Sequence, residues 1–112
     1  MSYNQNDLRS FINAEGKLVL CNEPFFTHFG HCTQHLIGKS VSDVFSSFDC
    51  IKILHAMEFC QSHPDQCCTV ETEKRSPEGC DCFRWEMYAE QGSGRITGIH
   101  LVGQSVKKEK AA

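Results

Sequence analysis

Eight cysteines and six histidines are the side chains of this 112-residue sequence with the most chemistry to offer. Thiolates and imidazoles ligate transition metals, and thiolates also act as nucleophiles and redox centres. Spacing decides which of these roles is open. Cys67 and Cys68 are adjacent, Cys80 and Cys82 are separated by one residue, and no C-x-x-C pair occurs. The paired spacing of structural zinc sites is therefore missing. If a turn at residues 75–79 closes a hairpin, Cys82 falls opposite Glu73 and Cys67 opposite Tyr88. The two cysteine pairs then lie about six residues apart along the ladder, or ~20 Å. That is too far for a shared ion, and beyond the ~7 Å Cα limit of a disulfide. Cys80 and Cys82 share the face of Arg84 and Glu86, so they are expected outside the core as plain small residues, with oxidation sensitivity as the alternative and no metal bound. His28, His31 and His35 have separations of three and four that suit one helical face. Gly30 interrupts that helix, so a surface cluster without fixed ligand geometry is expected. No Ser/His/Asp set, phosphate loop or HExxH occurs, and no catalytic residue is assigned.

The elements that must position these residues follow from periodicity. Leu8 to Asn13 reads as a strand, Asn13 to Gly16 as a turn, and Lys17 to Cys21 as a second strand, which makes a hairpin. Asn22 can cap a helix with Pro24 in its first turn and Phe25, Phe26 and Phe29 as its apolar stripe. Gly30 ends it. Residues 31–48 read as short helical turns, with Ser40 and Asp43 at capping-box spacing. Asp49 can cap a longer helix from Cys50 to Ser62, in which Ile53, Leu54, Met57 and Cys60 recur at helical spacing before His63-Pro64 ends it. Strands follow at Gln66 to Lys74, Cys80 to Glu90 and Arg95 to Gln104. In the second of these, Phe83, Trp85 and Met87 alternate with Arg84, Glu86 and Tyr88, which turns the apolar set inward. The last strand is apolar on both faces and is expected to be central in its sheet. The fold class is α+β: two hairpins flank a helical block, giving a five-stranded antiparallel sheet with several short helices on one face.

The composition is that of one soluble domain, 40% hydrophobic and 22% charged, with a net charge of −3. No basic footprint for nucleic acid and no membrane-length apolar run is present. The polar start, Met1 to Asp7, is not a signal peptide, so a cytoplasmic protein with reduced thiols is expected.

Five segments, in order, resemble a PAS domain. Phe11 to Asn22 is similar to the family's opening hairpin, and Pro24-Phe-Phe-Thr-His-Phe-Gly30 to its next helix. His35-Leu-Ile-Gly-Lys39 resembles its LIGK segment, although glutamate is common where His35 stands. Arg75-Ser-Pro-Glu-Gly79 with Phe83-Arg-Trp-Glu86 resembles its R-x-x-G…W hairpin, and Gly94 to Gly103 its final strand. The resemblance spans residues 8–106, with 1–7 as a flexible leader and 107–112 as the start of a linker or signalling helix. The Asp-Ile-Thr triplet that often precedes that helix is replaced by Gln104-Ser-Val106.

The resemblance implies the sheet order 2-1-5-4-3 and a concave face closed by helices that holds a small ligand, with Phe25, Phe29, Leu54, Met57, Phe83 and Trp85 lining the pocket. It also implies a homodimer through the outer sheet face and an output domain such as a kinase, in cis or in trans. The cofactor is left open. Haem ligated by His55 on the long helix is one alternative, and a ligand-free interaction or dimerisation module, its pocket filled by side chains, is another. The Asn-Cys-Arg-Phe-Leu-Gln segment of flavin-linked photosensors is missing. His100 is expected on the outer sheet face. A small enzyme of this shape would need a buried carboxylate, for which Glu58 is the candidate on the long helix.

Overall fold

The computed structural model describes residues 7–30, 35–76 and 79–106. Two strands, β1 (Leu8–Asn13) and β2 (Leu18–Cys21), form the first hairpin. Gly16 sits in its turn at φ +79°, a conformation that costs a glycine little. The helices α1 (Glu23–Phe29), α2 (Val41–Val44) and α3 (Ser47–Ser62) follow, then β3 (Cys68–Ser76), β4 (Gly79–Gly92) and β5 (Arg95–Val106). All strand pairs are antiparallel, in the order β2-β1-β5-β4-β3. The central place of β5 agrees with its apolar character on both faces.

Asn22 joins the first hairpin to the helices. Its side-chain oxygen accepts from the backbone N–H of Phe25 at 3.2 Å, capping α1, and from that of Arg9 at 3.0 Å. Its amide donates to the carbonyl of Asp7 at 2.8 Å. Asp7, the last residue of the expected leader, is therefore buried and tied down. Residues 1–6 and 107–112 lie outside the described residues, as does His31 of the expected histidine cluster.

Ser40 and Asp43 form the expected capping box at α2. The cap of α3 differs from expectation. Ser46 accepts from the N–H of Asp49, and the helix starts at Ser47. A carboxylate in the first turn is favoured there by the helix dipole whether or not it caps. Asp49 uses its carboxylate instead to reach β3, where Oδ2 accepts from the N–H of Glu73 at 3.3 Å.

Candidate functional site

Trp85 is the centre of the inward face. It is 0% exposed, and its indole N–H donates to Thr72 Oγ1 on β3 at 2.7 Å, so the one polar atom of the ring is satisfied. Phe25, Phe29, Phe45 and Phe83 surround it with ring centroids 5.6 to 5.9 Å away, in tilted and edge-on arrangements. Opposite Trp85 in the β4–β5 register is Gly103. A Cβ on Gly103 would lie 2.5 Å from the six-membered ring, so glycine is what lets the indole lie flat on the sheet.

Of the six expected pocket residues, the fold brings five together and fills the space between them with their own rings. Phe25, Phe29, Met57, Phe83 and Trp85 are all buried. Leu54 is a correction: it is 47% exposed. The buried stripe of α3 runs through Cys50, Ile53, Ala56, Met57 and Cys60, and Leu54 lies some 100° round the helix from Ile53. His55 is exposed as well. It borders a shallow groove with Lys52, Phe59, Cys68 and Val70 along the edge strand β3. It therefore does not point into an enclosed pocket where it could serve as an axial haem ligand. Glu58 is exposed.

The open space lies beside the aromatic centre. A cleft of about 770 Å³ is bounded by the start of α3, the end of α2 and the inner edge of β3. Phe29, Val44, Phe45 and Phe48 give it an apolar floor and lip, Phe48 being 82% exposed. Asp49, Lys52, Thr72, Glu73 and Lys74 supply its polar wall. Lys52 donates to the carbonyl of Glu71 at 3.2 Å. Lys74 donates to the carbonyl of His28 and holds its ammonium 5.1 Å from the centroid of Phe29. Lys74 thus stands over the aromatic floor, and Lys52 joins it in the polar wall.

The outer face of the sheet carries a second feature. The registers place Leu20, Phe11, His100 and Tyr88 side by side across β2, β1, β5 and β4. The His100 ring lies 4.7 Å from Phe11 and stacks on Tyr88 at 4.9 Å. Its Nε2 is 3.2 Å from Glu90. Leu20, at the end of the row, is 67% exposed.

No family model matches the sequence, and no curated protein matches it. Solved structures do. A PAS domain from Colwellia psychrerythraea superposes with a TM-score of 0.72 at 14% identity, covering 90% of this chain and 86% of that one. VqmA of Vibrio cholerae, solved in a ligand–DNA complex, gives 0.74 at 13% identity, covering 91% of this chain but 46% of its own. A sensory box sensor histidine kinase from Vibrio cholerae gives 0.65 at 12% identity, covering 90% and 79%. The sheet order and the superposition agree.

The chain has the PAS fold.

In this PAS fold the thiols divide by depth. Burial pushes the Cys21, Cys50 and Cys60 thiols up from their ordinary value, and the nearby Cys68 and Cys67 add to the effect at Cys60. Cys60 also donates to the carbonyl of Met87 at 3.4 Å. Cys67 and Cys80 are exposed and Cys82 is half-buried. Sequence reading missed the polar wall of the cleft, because Lys52, Thr72 and Lys74 come from two separate elements and share no motif. The inward setting of Thr72 was available from the register, once Glu73 was placed opposite Cys82. Among the described residues, no helix is long and apolar enough to cross a membrane.

Proposed function

We propose that this PAS domain is a cytoplasmic sensory or regulatory module of a signalling protein, such as a sensor histidine kinase, and that it performs no catalysis itself. It binds a small, partly apolar molecule with an anionic end in the cleft between α3 and β3. The observation that carries this reading is the pairing of an aromatic floor with two ammonium groups, Lys52 and Lys74, in a space of about 770 Å³. That volume is within the ~300–1,000 Å³ range of small-molecule sites. Solved structures of this fold hold small molecules: a PAS-B domain of Drosophila Cycle with ethylene glycol, and VqmA bound to DPO. Occupancy would favour one packing of α3 against β3, and the bias would reach an output domain through the chain ends or a dimer interface.

A thermal-shift screen with aromatic and medium-chain carboxylates tests it. Several should raise the wild-type Tm, since a ligand at about 100 times its Kd stabilises by ~2.7 kcal/mol. Lys52→Glu, at an exposed position, should remove the response. A wild type indifferent to every acid, or a variant that responds equally, would refute the cleft as the site.

A second reading has its own observation. The filled aromatic centre and the half-buried row of Phe11, His100 and Tyr88, ending in the exposed Leu20, suit a ligand-free module that pairs with a second copy through its outer sheet face.

A further inference from the structure

The hairpin of β3 and β4 brings together three groups that neither strand holds alone. Cys80 and Cys82 stand two apart on β4, so both thiols project from the same face. The register sets Glu73 of β3 directly opposite Cys82. The two sulfurs and a Glu73 carboxylate oxygen all lie within 4.8 Å of one another. Cys80 Sγ is 3.9 Å from Glu73 Oε2. A tetrahedral Zn²⁺ with bonds of ~2.3 Å to sulfur and ~2.0–2.2 Å to oxygen needs its sulfurs about 3.8 Å apart and sulfur to oxygen about 3.5 Å. Side-chain rotations of the exposed Glu73 and Cys80 toward the half-buried Cys82 would close that difference.

We propose that Glu73, Cys80 and Cys82 form a binding site for a thiophilic divalent cation of the Zn²⁺ type. The two thiols bind as thiolates, so each gives up a proton to solvent, and the carboxylate binds as it stands. Nothing is oxidised or reduced. Water completes the fourth position. The C-x-x-C spacing that governs zinc sites on turns is not needed here, because a strand presents alternate residues to one side and a neighbouring strand supplies the third ligand. The ion would clip β3 to β4 at the level of Val106, which pairs with Cys82 where β5 ends. The site therefore stands beside the last residues of β5. The site shares Glu73 with the wall of the cleft, and its two thiols lie outside that wall.

Cobalt tests it, because Co²⁺ substitutes for Zn²⁺ and reports thiolate ligation by absorption. The full chain, reduced and stripped of metal, is titrated with Co²⁺. The wild type should develop thiolate-to-cobalt charge-transfer and tetrahedral ligand-field bands, saturating at a single ion per chain, and Zn²⁺ should bleach them. The double variant Cys80→Ser, Cys82→Ser should lose the bands. Cys67→Ser with Cys68→Ser should keep them. Glu73→Gln should weaken Co²⁺ at least roughly tenfold, the scale at which even outer-shell partners act. Cys80→Ser alone, at an exposed position, reports if the double variant fails to fold. A wild type without thiolate bands, or bands that survive loss of both Cys80 and Cys82, would overturn the proposal.

Discussion

The two faces of one sheet are built from the same strands and have opposite character. On the inner face Phe83, Trp85, Met87, Ile99 and Leu101 are at most 1% exposed and are locked against α1 and α3. On the outer face the row of Leu20, Phe11, His100 and Tyr88 is also apolar and aromatic, yet among the described residues no helix covers it. Strand alternation alone would have put polar side chains there. The comparison separates side chains that the helices close off from side chains that they leave partly open. It also shows why the cleft matters: it lies where the inner face stops being filled, at the β3 edge.

The largest effect that would test this division is at the inner centre. Trp85→Ala should cost about 3–5 kcal/mol in urea unfolding, the range for removing a buried large aromatic. A loss below about 1 kcal/mol would mean that the centre is not the core. Next is Gly103→Ala, whose new methyl would lie 2.5 Å from the indole. Overpacking should cost about 1–3 kcal/mol and shift the fluorescence of the single tryptophan. An unchanged spectrum would place the ring elsewhere. On the outer face, Leu20→Ser should change stability by less than about 0.5 kcal/mol while weakening self-association in analytical ultracentrifugation. A fall in stability with association unchanged would reverse the assignment of that face.

The smallest expected effect is the alkaline one. Burial lifts the thiols of the half-buried Cys21 and the buried Cys50 and Cys60 above the ordinary value of 9.0. They stay protonated in the folded chain while the unfolded chain ionises. The stability they confer is complete below pH 9.0 and is lost as the pH climbs toward their raised values. Alkylation of the folded protein should follow the same order of depth, with Cys67 and Cys80 first and Cys60 last. Early modification of Cys60 would show that α3 opens readily from the sheet.

Much of the fold was legible because alternation and helical spacing are local signals. Phe83, Trp85 and Met87 declared the inner face, and the turn after residue 75 fixed the register that set Glu73 opposite Cys82. Asn22 declared its own cap. The candidate site was less legible. Leu54 belongs to an apolar run whose stripe is narrower than its composition suggests, so a residue at the edge of that stripe was placed inside. His55 has the right residue type on the expected helix, but its orientation depends on the helix phase, which packing sets. Ser46 takes the cap that Asp49 was expected to provide, because Asp49 is drawn to the N–H of Glu73 across the cleft. Such long-range pairs leave no local trace.

The most direct measurement is a set of amide NMR spectra of the isotopically labelled chain, recorded with and without the carboxylates that raise its Tm. Shifts concentrated in residues 44–52 and 72–74, with the amides of Leu20, Phe11, His100 and Tyr88 unmoved, are the expected result. Shifts confined to that outer row, or none at all near the cleft, would contradict it.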